Sequence, residues 1–358
     1  MIGYRWLLAA VFLAPLAAFP ADFGIGIPQA KNAVFILLGL AFILWLTPNW
    51  WLRAFLAWAI VAFAASGMKV WGMAGLLGLL AWTLAYEQTA RLTGPQWARV
   101  RLMIAVAALG QLAWMGIQLA HADPVFSPLS YSGKVLAGPA PAIGWFANAS
   151  DTALFLGLSL PAVAVLSPWL AVGMSLTILW LLPSAGGFMC IAAVAIWLLW
   201  SRSWIWRAIG ILGLIGFAAI YFTRIDPGGL GGRWLIWHNA WALGWMSPIV
   251  GWGPNAVGYR LVTMAANERW DFVFSEWLQG FVEFGAVGVG LALGYLISTA
   301  WRLRRRWAAI EWEVLAGAAC LVAVSVFSIP FRIGPVALLA AIYLGRLDGL
   351  SRAETGRI

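Results

Sequence analysis

Apolar runs long enough, or nearly long enough, to cross a hydrocarbon layer of roughly 30 Å recur along the whole chain. Short clusters of Pro, Gly, Trp and charge separate them. The pattern predicts twelve spans, at about 5–20, 32–47, 50–66, 69–86, 101–120, 150–166, 168–183, 186–200, 204–223, 284–300, 313–329 and 332–346. The longest stretch left between spans is 224–283, and the next longest is 121–149.

Composition agrees with the pattern. At 63% hydrophobic and 10% charged residues, with mean hydropathy +0.88, the 358 residues exclude an ordinary soluble domain. The expected fold is all-α, a polytopic membrane helix bundle of about twelve spans in a single integral domain over 1–358, whose long external loop contains interfacial helices. Arg302, Arg304, Arg305 and Arg306 form the densest basic cluster, which marks the cytoplasmic side. Alternation then places Arg91, Arg99 and Arg101, Arg202 and Arg207, the tail residues Arg346, Arg352 and Arg357, and Arg5 and Arg53 on that side too. Both termini are cytoplasmic in this scheme, and 121–149 and 224–283 are external. Lys31, Lys69, Lys134, Arg224, Arg233, Arg260, Arg269 and Arg332 remain outside, against the charge bias, and need a reason.

Two further features change little. The start "MIGYRWLLAAVFLAPLAAFPAD" resembles a signal peptide, but a retained first span does the same targeting and is the preferred reading. Cys190 and Cys320 both fall inside predicted spans as apolar packing residues, so no disulfide, metal site or cofactor is expected from them.

The stretch "GGRWLIWHNAWALGWMSPIVGWGPNAVGY", 231–259, could pass for another span. Parity argues against that, because one more crossing would move the arginine cluster outside. Trp234, Trp237, Trp241 and Trp245 recur at helical spacing, and indole prefers the headgroup boundary. The prediction is an interfacial or re-entrant helix, ended by Pro248 and the "GWGP" turn. A loop this long in an otherwise economical bundle points to function, with a packed lid as the plainer alternative.

Within the loop, "DFVFSEWLQGFVEFG" predicts a helix leading into the span at 284, with Glu276, Gln279 and Glu283 on one face. Carboxylates at the lipid boundary can have raised pKa values and act as acid or base; a solvated polar face is the competing reading. Arg224, Arg233, Arg260 and Arg269 share the loop with Asp226, Glu268, Asp271, Glu276 and Glu283, for a formal charge of −1. That is not a nucleic-acid surface. A single arginine can still grip a diphosphate bidentately, and most such arginines simply anchor at headgroups. His238 is as well suited to packing against Trp234 or a headgroup as to catalysis.

Four stretches together resemble the O-antigen ligase and O-antigen polymerase family of bacterial membrane glycosyltransferases: "GWFANASDTALFLGLSLPAV" (144–163), "PSAGGFMCIAAVAIW" (183–197), "GRWLIWHNAWALGWMSPIVGWGPNAVGY" and "FSEWLQGFVEFGAVGVGLALGYL" (274–296). The likeness covers roughly 140–300, and the flanks match in hydropathy alone. It implies transfer of a glycan from an undecaprenyl-diphosphate donor at the periplasmic face of the inner membrane. The acceptor is lipid A-core or another lipid-linked repeat, and no nucleotide, cofactor or obligatory metal takes part. On this resemblance Glu276, His238 and Glu283 are the candidate catalytic groups. Arg233, Arg224, Arg260, Arg269 and Gln279 are the candidate substrate-binding groups.

Two departures bear on those roles. Ala185 stands where the family usually has arginine, and Phe274 where it usually has histidine. Either Glu276 or His238 takes over the histidine's part, or that part is dispensable here, or the chain is a noncatalytic relative. A transporter or flippase of lipid-linked oligosaccharide is the alternative of a different class. It usually shows intramembrane charges or repeated broken helices near the midplane; here the spans contain few charges, the polar groups gather in one external loop and no internal repeat is evident.

Overall fold

The computed structural model describes residues 5, 7–9, 11, 50–66, 69–120, 144–146, 149–182, 184–200, 229–257, 273–304, 310–328 and 330–352. Every regular element among them is helical. In chain order these are α1 (Trp50–Ala65), α2 (Lys69–Ala90), α3 (Gly94–Leu119), α4 (Ala149–Leu166), α5 (Pro168–Leu181), α6 (Ala185–Trp200), α7 (Gly229–Trp245), α8 (Glu276–Leu303), α9 (Trp312–Phe327) and α10 (Gly334–Arg352). Short 3-10 turns cover Gly144–Phe146 and Pro330–Arg332. Three of the described helices, α3, α4 and α8, are long and apolar enough to cross a membrane, and α1, α5 and most of α9 are shorter apolar helices. All the described helices except α7 coincide with predicted spans, whereas the spans expected at 5–20, 32–47 and 204–223 lie wholly or mostly outside the described residues.

Some helices outrun the predicted spans for identifiable reasons. α3 starts at Gly94 rather than 101 because "TGPQ" opens a helix well: the Thr93 N–H donates to Gln96 Oε1 at 3.0 Å, and Pro95 sits where no N–H partner is needed. α4 is the central helix, with every residue from Thr152 to Val163 buried. It meets α6 closely where Gly157 faces Cys190, and Leu154 fills the space left by Gly186. α2 and α10 run parallel, because Gly345 lies against the carbonyl of Tyr86 and Gly349 against that of Ala90, one turn further on in both helices. That is the small-xxx-small contact by which helices approach closely in an apolar medium.

The tail of the chain goes beyond the predicted span, which ended at 346. Arg346 and Arg352 do not trail into solvent, because α10 continues to Arg352 and both are paired. Arg346 grips Glu311 through Nε and Nη2 at 3.1 and 2.6 Å and donates to the Leu92 carbonyl at 2.7 Å. Arg352 contacts Asp348 and Glu87, Arg302 reaches Asp348 at 2.9 Å, and Arg101 reaches Glu313 at 2.6 Å. These pairs join the ends of α2, α8 and α10 to the starts of α3 and α9, so that helices of opposite heading gather their charges at one end of the bundle.

α8 carries the opposite end. It is broken at Gly285, whose φ of 67° is outside the helical region. The carbonyls freed by the break are taken by partners from elsewhere: the N–H groups of Trp252 and Gly253 donate to Val282 and Glu283, both at 2.9 Å, and the Trp58 indole donates to Phe284 at 2.8 Å. In return the Ala286 N–H donates to the Pro248 carbonyl at 2.8 Å. A break in a membrane helix persists only where its backbone groups find such partners. Gly251 (φ 76°) and Gly253 (φ 93°) turn the 246–257 segment into this seat, and a Cβ on Gly285 would meet the Ile249 carbonyl. Gly285→Ala therefore combines a positive-φ penalty with a backbone collision, and a loss of roughly 2–4 kcal/mol in stability is expected, read as a lowered thermal midpoint of the purified protein. A midpoint equal to wild type would mean that α8 can run unbroken.

Candidate functional site

The first turns of α8, the segment after α7 and the 3-10 turn at 330–332 converge beside the break. Pro330 and Pro335 bracket Arg332 and hold it out of both neighbouring helices. The Arg332 guanidinium points back onto α8, where Nη2 meets Glu283 Oε2 at 2.6 Å, Nη1 donates to Asn255 Oδ1 at 3.1 Å, and Nε lies 3.5 Å from Glu276 Oε1. Gln279 completes the line, its Nε2 donating to Glu283 Oε1 at 3.0 Å and its Oε1 accepting from the Val273 N–H at 3.2 Å. Glu276 is tied in twice more, accepting from the Phe331 N–H at 3.4 Å and donating its own N–H to the Ser328 carbonyl at 3.1 Å.

Glu276, Gln279 and Glu283 do share one face of the helix. That face is not solvated: Gln279 and Glu283 are fully buried, and the Glu276 side chain is 15% exposed. One guanidinium serves two carboxylates, unequally, with Glu283 in close contact and Glu276 further off. Glu276 opens α8, eight residues ahead of the span expected at 284–300. Its carboxyl is pushed up to about 7, because burial, helped by the neighbouring Glu283, outweighs the pull of Arg332 and the Phe331 N–H. A carboxyl with that pKa exists in both protonation states near neutral pH, as an acid/base group requires.

The α7 helix roofs this end. Ile236 and Ala240 are buried with Val257, Val273 and Val282. Trp241 and Trp245 flank Phe281 of α8 at 5.5 and 5.9 Å between ring centroids, and Gly244 admits the same ring. Trp234, Trp241 and Trp245 are exposed on the other side, while Trp237 turns inward to donate to the Val273 carbonyl at 2.9 Å. Among the described residues α7 is absent from the helices apolar enough to cross.

Arg233, at the start of α7, places its guanidinium 5.6 Å from the centre of the Phe274 ring. Phe274 has φ 57°, rare for a bulky side chain, and the residues that keep such backbone cluster at sites where geometry matters more than stability. Asn255, the Arg332 partner, has φ 58°, a conformation asparagine tolerates. No protein-family model matches the chain, and no curated protein matches it significantly. His238 is exposed on α7, and no hydrogen bond or ion pair joins it to the carboxylate cluster among the described residues. Arg224, Arg260 and Arg269 lie outside the described residues, as does most of 121–149.

Arg332 is the residue that sequence reasoning missed. It was legible only as one of the cations left on the external side; the pairing that explains it joins residues 49 positions apart across three segments. The Pro on either side was the available signal, since "IPFRIGP" fixes a short turn between two apolar runs and puts a lone charge at its apex.

Proposed function

We propose that the chain is a bacterial inner-membrane glycosyltransferase of the O-antigen ligase or polymerase type, acting at the periplasmic end that carries the Glu276, Glu283 and Arg332 cluster. The observation that carries the reading is the surplus carboxylate. Glu283 is neutralised by Arg332, leaving Glu276 with a shared cation and a pKa in the working range. In the reaction, Glu276 removes the proton from an acceptor sugar hydroxyl as its oxygen bonds to the anomeric carbon of the donor glycan. The bond from that carbon to the phosphate oxygen breaks, and undecaprenyl diphosphate leaves with the electron pair. Arg233 stands two residues' reach from Glu276 through its contact with Phe274, and meets the diphosphate. Glu283 and Gln279 position the cluster, and His238 is not needed.

The transporter alternative gains one observation, a broken helix beside buried charge. The position of the break weighs against it: residues 286–303 remain continuous over about 27 Å at 1.5 Å per residue, nearly the hydrocarbon thickness, so the break lies at a boundary. In this reading both termini are cytoplasmic, and the acceptor is lipid A-core or a second lipid-linked repeat.

The test is the surface-glycan profile of a strain lacking the protein. Loss of long chains from lipid A with accumulation of lipid-linked polymer assigns a ligase, and chains capped at one repeat assign a polymerase. Lipid-linked repeats trapped on the cytoplasmic face assign a flippase instead. An unchanged profile of every envelope polysaccharide rejects the proposal.

A further inference from the structure

At the opposite end of the bundle a groove of about 500 Å³ opens on the flank between the start of α1 and the last turns of α8. Trp50, Trp51, Ile297, Ser298 and Trp301 line it, and Arg302 stands at its rim. Its walls are apolar and outward-facing: Trp50, Ile297 and Trp301 are 62%, 66% and 65% exposed. Leu293, Ile297 and Trp301 continue as one exposed stripe up the helix, one turn apart, and Gly290, with open space beside it, extends the stripe a further turn.

The rim has the opposite character. Arg302 uses Nη2 on Thr299 and Asp348, and its Nε is buried without a hydrogen-bond partner among the described residues. Arg304 lies over the Trp301 ring, 3.5 Å from its centre, and Arg305 and Arg306 follow in the sequence. The nearest carboxylate, Asp348, is shared with Arg352, so the rim is net cationic.

We propose that this groove binds one anionic phospholipid, its acyl chain along the stripe from Trp301 towards Gly290 and its phosphate against Arg302 and Arg304. The chemistry matches at both ends of such a ligand. An apolar trough walled by indoles suits a chain leaving the headgroup layer, and guanidinium groups suit a phosphate that carries net charge. A zwitterionic headgroup offers the same phosphate with its charge cancelled, so the arginines discriminate between the two. The site is separate from the Glu276 cluster and is independent of whether the chain transfers glycan.

Native mass spectrometry of the full chain, released from detergent after exposure to equal phosphatidylglycerol and phosphatidylcholine, tests this. The expected result is one phosphatidylglycerol retained in preference to phosphatidylcholine. Arg304→Gln should lower that preference about fivefold, the factor typical of one basic residue at an anionic surface. Ser298→Trp, which fills the groove and leaves the arginines in place, should abolish retention. Equal retention of the two lipids by wild type, or an unchanged preference in Arg304→Gln, overturns the proposal. Arg304 is exposed with its ring contact to Trp301, so that variant keeps the fold even if Ser298→Trp does not.

Discussion

If the proposed reaction is right, Glu276→Gln should lower glycan transfer by about 10²–10⁴-fold, the range for a lost acid/base group, while the protein still inserts and purifies normally. The substitution keeps the shape of the side chain and its acceptor for the Phe331 N–H, and removes only the proton-binding function. The pH profile gives the more specific signature. With the Glu276 carboxyl at about 7, the wild-type rate should rise with pH as the carboxylate forms, falling about tenfold for each unit below that value. The variant's residual rate should be flat over the same window.

Stability moves in the other sense. A carboxyl whose pKa is raised on folding favours the folded state most below its unfolded value of 4.5, and that contribution is lost as pH rises through about 7. Glu276→Gln never acquires the charge, so near pH 8 it should be at least as thermostable as wild type. A variant that loses transfer and thermostability together at pH 8 would point to a structural knot, and one that keeps transfer would remove Glu276 from the chemistry.

The parts of this architecture that were legible in the sequence are those set by local pattern. Apolar run length located the helices, and the i, i+3, i+7 spacing put Glu276, Gln279 and Glu283 on one face. Tryptophan recurrence at helical spacing marked 234–245 as a helix, and α7 covers it. What stayed hidden depends on distant partners. The face of α8 reads equally as solvated or buried until Arg332 arrives from the far side of α9 to neutralise it. The tail arginines carry only a side of the membrane in the sequence; their partners Glu87 and Glu311 come from other parts of the chain. The break at Gly285 could not be read from "EFGAVG", because glycine inside an apolar run is common and only the donors at Trp252, Gly253 and Trp58 make the break stable.

Arg332→Met should be the most destabilising single substitution at this end of the protein. Among the described residues it leaves the fully buried Glu283 with Gln279 as its side-chain partner and takes from Glu276 the one cation beside it. Breaking one side of a buried pair costs roughly 3–5 kcal/mol, whereas replacing both partners by apolar residues of similar volume is often close to neutral. Glu283→Met combined with Arg332→Met should therefore recover most of the lost thermal midpoint. Transfer should not return to the same pH. The pull of Arg332 on Glu276 exceeds the push of Glu283, so removing both moves the Glu276 carboxyl further up, and the rising limb of the rate should shift to higher pH. A double variant that regains both stability and the wild-type pH profile would make the pair mere packing and detach Glu276 from it. A double variant that regains stability with the displaced profile identifies Arg332 and Glu283 as the groups that position Glu276 and set its charge.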